Sequence, residues 1–242
     1  MVLVADVGNT CIKLGVFEGD QLINNFLWDD KNRVRNKKML EKFQLKYIVL
    51  GKSGVIRPEF QDFLQNQALS IWQAHQLMTL PFENHYSTPQ TLGIDRLANV
   101  AASQSLFRNL TTLTIDCGTC ITYDLLENGE KYLGGIISPG WEMRLKAMQA
   151  FTAKLPLAEN KKTSLIGNDT ITCLQSGAYN GLIKEIEGLI DAFSMQYSNL
   201  TTILTGGDAL TLQDSIKKPI FARPNLQLEG LYRLFKFNIN NF

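Results

Sequence analysis

The sequence has only two histidines and four cysteines in 242 residues, and no long apolar run. A bilayer-spanning helix needs about 20 consecutive apolar residues, and no stretch approaches that length, so no membrane partner is expected. The apolar start Met1 to Ala5 meets Asp6 at once, unlike a secretory leader, and a cytoplasmic protein is the expectation. Cys11, Cys117, Cys120 and Cys173 are too few and too scattered for a disulfide framework. Cys117-Gly-Thr-Cys120 does spell C-x-x-C. A zinc ribbon would add a second pair or paired histidines, and a thioredoxin-like pair would open a helix, whereas Thr122, Tyr123 and Leu125 continue as strand. Small residues in a tight turn is the better reading. An excess of one charge is also missing: 24 Lys+Arg stand against 23 Asp+Glu, a net charge of +1. That excludes a protein that coats nucleic acid or membrane through a bulk field.

What is there is an ordinary globular composition, 45% hydrophobic and 19% charged, long enough for one large domain or two small ones. Val2 to Ala5, Ile12 to Phe17 and Leu22 to Leu27 read as strands, with the turn Glu18-Gly-Asp20 between the last two. Met39, Leu40, Phe43 and Tyr47 suggest a helix that leads into a strand at Tyr47 to Leu50. A helix from Glu59 to about Gln67 and a strand near Ile71-Trp72 follow, then a helix from Arg96 to Phe107. Leu182, Ile183, Ile186, Leu189, Ile190 and Phe193 repeat at helical spacing between Gly177 and Tyr197, as expected of a core-facing helix. Ile203 to Thr205 is a strand ending in the turn Gly206-Gly207-Asp208.

The chain also repeats itself. Leu3-Val-Ala-Asp-Val-Gly-Asn-Thr10 and Leu113-Thr-Ile-Asp-Cys-Gly-Thr119 share one pattern: strand, Asp, any residue, Gly, small polar. Each leads through β-rich sequence to an acidic-Gly turn, the second being Glu127-Asn-Gly129. This predicts an internal duplication, an α/β fold of two similar halves spanning 1–110 and 111–242. A strand that ends in Asp-x-Gly-small suits a phosphate. The glycine lets backbone N–H groups approach an anion, the next Asn or Thr adds donors, and the carboxylate suits Mg²⁺. One such loop is weak evidence, but two at the heads of repeated halves form a pair able to grip a polyphosphate.

These motifs resemble the actin, hexokinase and acetate kinase superfold, two ribonuclease-H-like domains with a nucleotide cleft between them. Within it, they are similar to those of the type III pantothenate kinases. Asp6-Val7-Gly8-Asn9-Thr10-Cys11-Ile12-Lys13 resembles that family's first phosphate motif, and Asp116-Cys-Gly-Thr-Cys-Ile-Thr122 its second. Gly93-Ile94-Asp95-Arg96 matches a G-x-D-R motif, with Tyr86 seven residues earlier. Gly134-Gly-Ile-Ile-Ser-Pro-Gly140 and Thr205-Gly206-Gly207-Asp208 complete the set, the last resembling the adenosine-side turn. Cys120, where a small residue is expected, and Gly51-Lys-Ser53 depart from the pattern.

The resemblance implies ATP-dependent phosphorylation of pantothenate, the first step of coenzyme A biosynthesis, by a homodimer. Asp95 would be the catalytic base, and Arg96 a clamp for a substrate carboxylate. Asp6 would organise Mg-ATP, directly or through water. Gly8, Asn9 and Thr10 would donate to the phosphates, Lys13 would supply a point charge, and Thr119 would contact ATP. Tyr86, Gly93, Ile94 and Thr170 would touch pantothenate, and Asp116 would help hold a monovalent cation, K⁺ or NH₄⁺. From spacing alone Asp95 reads better as an N-cap of the helix starting at Arg96, and it is the motif set that favours the base.

Three rival readings have less support. A Walker loop at Tyr47 to Ser53 needs glycine five positions before Gly51, where Lys46 stands. The run Lys31 to Lys46, with seven basic residues and one acid, reads as a solvated helix face rather than a nucleic-acid site. A non-catalytic ATP-binding regulator of the same fold should lose carboxylates first, yet Asp6, Asp95 and Asp116 are all present. A kinase for another small hydroxylated substrate stays open at this point.

Overall fold

Val2–Val7 (β1), Ile12–Glu18 (β2) and Gln21–Trp28 (β3) form a meander in the computed structural model, which describes residues 1–28, 33–67 and 69–239. Helix α1 (Arg33–Leu40), β4 (Tyr47–Lys52), α2 (Pro58–Gln65), β5 (Ser70–Gln73), the short β6 (Glu83–Asn84) and α3 (Ile94–Leu106) follow. The sheet order is β3-β2-β1-β4-β5, antiparallel through the meander and parallel across β1, β4 and β5. β1 and β4 lie inside the sheet, and Leu3, Val4, Ala5, Ile48 and Val49 are completely buried. Strands covered on both faces read as continuous apolar runs, which is why these two were legible. The hairpin between β2 and β3 turns at Gly19, whose φ of 56° lies in the left-handed region that glycine tolerates.

β7 (Thr111–Cys117), β8 (Cys120–Glu127) and β9 (Lys131–Pro139) form a second meander, followed by α4 (Trp141–Ala150), α5 (Thr170–Gln196), β10 (Leu200–Thr205), α6 (Ala209–Leu212) and β11 (Phe221–Ala222). The order β11-β10-β7-β8-β9, with β7–β8 antiparallel and β10 parallel to both β7 and β11, reproduces the first sheet strand for strand. The duplication seen in the sequence is thus a duplication of topology. The opening residues of β9, Lys131 and Tyr132, pair in parallel with β6.

The chain divides into two units, the first holding Met1–Arg108, Glu130–Tyr132 and the segment from Asn225, the second Asn109–Gly129 and Leu133–Pro224. The C-terminal helix α7 (Leu226–Ile239), expected in the second half, groups instead with the first unit. Its buried side chains Leu228, Leu231, Leu234 and Phe235 face α3 and the first sheet. Gly230 lies so close to the Ala98 carbonyl that an added Cβ would be 1.8 Å from its oxygen. Tyr232 stacks on Phe17 with ring centroids 4.3 Å apart and donates its hydroxyl hydrogen to the Gly19 carbonyl.

Local differences have local causes. The helix expected around residues 39–47 lies earlier, at Arg33–Leu40, and Phe43 packs on the core from the following turn. Lys31, the first residue of the basic run, lies outside the described residues. α5 starts at Thr170, twelve residues before the apolar stripe opens at Leu182. Asp169 accepts from Thr172 N at 2.9 Å while Thr172 Oγ1 accepts from Asp169 N at 3.2 Å, a reciprocal cap. Among the described residues no helix is long and apolar enough to cross a membrane.

Candidate active site

Asp6 and Asp116 occupy the same place in their units, each the penultimate residue of a central strand that runs into a tight hairpin. Gly8 N donates to the Cys11 carbonyl at 3.1 Å, and Gly118 N donates to the Cys120 carbonyl at 3.1 Å. The loops differ by one residue, since Val7 pairs with Ile12 but Cys117 with Ile121. In both, a second segment closes on the strand end. Ser53 N and Gly54 N donate to the Val7 carbonyl at 3.0 and 2.9 Å, and Asp208 N donates to the Cys117 carbonyl at 3.0 Å.

In the first loop Asp6 is buried, whereas Asn9 and Thr10 are exposed. Lys13 lies directly opposite Asp6 in the antiparallel register, so the two side chains leave the sheet on one face. The side chains of Val7 and Ile12 are buried in the core, which leaves only their main chain for a phosphate. Two contributors were not foreseen. Gly54 packs on the Gly8–Asn9 peptide, where an added Cβ would lie 2.3 Å from the Gly8 oxygen and 2.8 Å from Asn9 N. Arg57 donates from Nη2 to the Thr10 carbonyl at 3.1 Å. The nearest signal was the departure from the pattern at Gly51-Lys-Ser53, which stops one residue short of Gly54.

The second loop meets two glycine turns. Gly206, with φ of 99°, sits where an added Cβ would lie 2.5 Å from Asp116 Oδ1 and from Cys117 N. The carboxylate of Asp116 and the turn Gly206-Gly207 are therefore neighbours. Gly140 N donates to the Thr119 carbonyl at 3.1 Å. Cys117 is buried, and burial, with the charges of Asp116 and Asp208, pushes its thiol well above the ordinary range. Such a sulfur is inert as a thiolate, in keeping with the turn reading of C-x-x-C. Asp208 is held above the ordinary carboxylate value by burial and then by the charge of Glu142.

The G-x-D-R motif opens α3. Gly93 is the N-cap residue, with Asp95 in the first turn. Asp95 does not cap the helix as a side chain at the N-cap position. Its Oδ1 instead accepts from the adjacent Arg96 N at 2.9 Å. That oxygen folds over Gly93, where an added Cβ would lie 2.2 Å away, so only glycine admits this carboxylate position. Arg96 is 5% exposed, and its guanidinium carbon lies 5.5 Å from the centroid of the Tyr86 ring. Tyr86 in turn stacks on Tyr132 at 6.3 Å, and its N–H donates to Asn84 Oδ1 at 3.0 Å. The structure thus gathers Tyr86, Gly93, Asp95 and Arg96 into one cluster, while Ile94 is buried in the core. Thr170 belongs to the other unit, exposed at the first position of α5.

A repeated meander whose central strands each end in an Asp-x-Gly hairpin is the pattern of the two-domain actin-like fold, and known structures share that fold. A Campylobacter jejuni protein named as a Baf family transcriptional activator aligns with a TM-score of 0.61 and 23% identity, covering 98% of this chain and 99% of its own. A ROK family glucokinase from Streptomyces griseus aligns with a TM-score of 0.51 and 12% identity over 99% of both chains. The sequence profile of the type III pantothenate kinases matches residues 2–192. The type III pantothenate kinase of Flavobacterium johnsoniae is 41% identical over 246 residues, all of both chains. The chain belongs to the type III pantothenate kinase family.

Proposed function

We propose that this protein transfers the γ-phosphoryl group of ATP to the 4′-hydroxyl of pantothenate, the opening step of coenzyme A biosynthesis, in the cytoplasm and as a homodimer. The observation that carries this reading is the cluster at the start of α3. A carboxylate seated over Gly93 stands beside a buried guanidinium that is stacked on Tyr86. A small acid with a hydroxyl is the substrate chemistry such a cluster suits, because Arg96 can clamp the carboxylate bidentately while Asp95 faces the hydroxyl.

In the reaction the hydroxyl oxygen bonds to the γ-phosphorus, the bond from that phosphorus to the β–γ bridging oxygen breaks, and ADP leaves. Asp95 accepts the hydroxyl proton and orients the oxygen, and orientation contributes more than basicity where the transition state is loose. Gly8, Asn9 and Thr10 donate to the phosphates, Lys13 adds a point charge, and Thr119 with Gly206 and Gly207 serves the second phosphate loop and the adenosine side. Among the described residues no three His, Cys, Asp or Glu side chains gather into a metal cage. Mg²⁺ held mainly by phosphates and water needs only one or two carboxylates, and the buried Asp6 fits that demand. When bound, the ion neutralises charge on the phosphates. Asp116 is assigned to a monovalent cation, K⁺ or NH₄⁺.

The test is ADP release by the purified protein with ATP, Mg²⁺ and pantothenate, with and without K⁺ or NH₄⁺, beside sugars, glycerol and acetate. Pantothenate-dependent turnover stimulated by the cation is expected, with light scattering giving twice the chain mass. Turnover on a panel member instead would reassign Tyr86, Asp95 and Arg96. Nucleotide binding without any turnover would favour the regulator.

A further inference from the structure

The turn Ser138-Pro139-Gly140 at the end of β9 has no room to move independently of the second phosphate loop. An added Cβ on Gly140 would lie 2.4 Å from both the Gly118 and the Thr119 oxygens, so backbone packs directly on backbone. What fixes the turn itself is a network of side chains behind it. The Arg144 guanidinium donates from Nε to the Pro139 carbonyl at 2.9 Å and from Nη2 to Ser138 Oγ at 3.0 Å, and it pairs with Glu185 Oε2. Ser138 Oγ also donates to Glu185 Oε2 at 3.0 Å, and the Tyr123 hydroxyl donates to Glu185 Oε1 at 2.8 Å.

Glu185, on the long helix α5, therefore receives one donor from each of β8, β9 and α4. β8 leaves the phosphate loop, β9 ends in the turn above it, and α4 starts from that turn. The arginine and glutamate side chains are 20% and 26% exposed, sheltered enough for the pair to hold geometry where an exposed pair would contribute little.

We infer that Arg144 and Glu185 are positioning residues for nucleotide binding: they hold the Ser138–Gly140 turn against the Gly118–Thr119 peptide and so set the second phosphate loop. The inference rests on the reading of that loop as a phosphate contact. Their effect passes through the main-chain contacts at Gly140.

Calorimetric titration of a non-hydrolysable ATP analogue with Mg²⁺ tests this in the full chain and in Arg144→Met, Arg144→Lys, Glu185→Gln and Ser138→Ala. The melting temperature of each nucleotide-free variant is measured in parallel. Arg144→Met and Glu185→Gln are expected to weaken analogue binding about tenfold, the loss typical of one charge-assisted hydrogen bond. Arg144→Lys keeps the charge without the fork and recovers part of the loss. The double variant should bind within about twofold of the weaker single one, because both act through one turn. Analogue affinities within about twofold of the parent, together with lowered melting temperatures, would reduce the network to a structural brace and overturn the inference. Should Arg144→Met fail to fold, Ser138→Ala removes one hydroxyl and no charge; a loss of about threefold there supports the inference, and unchanged affinity overturns it. A parent protein that does not bind the analogue sinks the inference along with the phosphate reading. One that binds it but leaves pantothenate unphosphorylated fails only the proposed activity.

Discussion

Asp95 and Gly93 form one device at the residue scale. The carboxylate occupies the space that any side chain at position 93 would fill, so the glycine serves the aspartate rather than the backbone, whose φ of −62° is ordinary. Asp95→Asn is expected to lower kcat by about 10²–10⁴, the range for a proton-transfer group, while analogue affinity by calorimetry stays within about twofold. Full activity would remove the base role and leave the fold untouched. Gly93→Ala is expected to cost at least about tenfold in kcat with little change in melting temperature, because the new methyl group meets only a rotatable side chain. An active Gly93→Ala enzyme would show that the carboxylate works from another rotamer. The Asp95 motif was visible in the sequence, but its geometry was not. Spacing allowed an N-cap reading, and only the folded chain shows the N-cap position taken by glycine.

Among the elements, the loops are held from behind by pieces of chain distant in sequence. Gly54 covers the first, Gly206 and Gly140 the second, and each approaches within a distance that forbids a side chain. Gly54→Ala is expected to raise the KM for ATP about tenfold, since the neighbour is backbone that cannot rotate away. Unchanged nucleotide kinetics would dissociate this segment from the loop. Glu185 adds a pH signature to the second loop. Burial alone would raise its carboxyl, but the hydrogen bonds from Arg144, Tyr123 and Ser138, with the arginine charge, hold it below its ordinary value of 4.5. A depressed carboxylate stabilises the fold above its unfolded value and loses that contribution as pH falls through the folded value. Melting curves should therefore show the parent and Glu185→Gln converging below about pH 4.5, and a constant gap would deny the shift. Asp208, raised by burial and Glu142, has the opposite sign, favouring the fold only on the acid side.

The two units of the whole molecule share a strand order but not a chain boundary. α7 crosses back to the first unit because its apolar face needs a surface, and α3 with the first sheet supplies one. Gly230→Val is expected to destabilise the protein by more than about 2 kcal/mol in chemical denaturation, because two helix backbones already touch there. A chain ending at Pro224 should lose hydrogen-exchange protection in β1, β2 and α3 while β7 and β10 keep theirs. Uniform loss across both units would mean that the two fold as one.

The sequence by itself determined the duplicated strands, the two Asp-x-Gly loops and the motif at α3, because each is written in short-range signals. Buried central strands are apolar runs, tight hairpins need glycine, and a phosphate loop needs small donors beside a carboxylate. Only the tertiary structure decided which distant glycine closes on which loop, that α7 belongs with the first unit, and that Arg144 meets Glu185 across 41 residues. These are choices among partners that local pattern leaves equivalent. An amphipathic helix records that it has an apolar face, and a surface arginine that it has a charge, but the partner of each is set by where the packed chain brings the complementary surface.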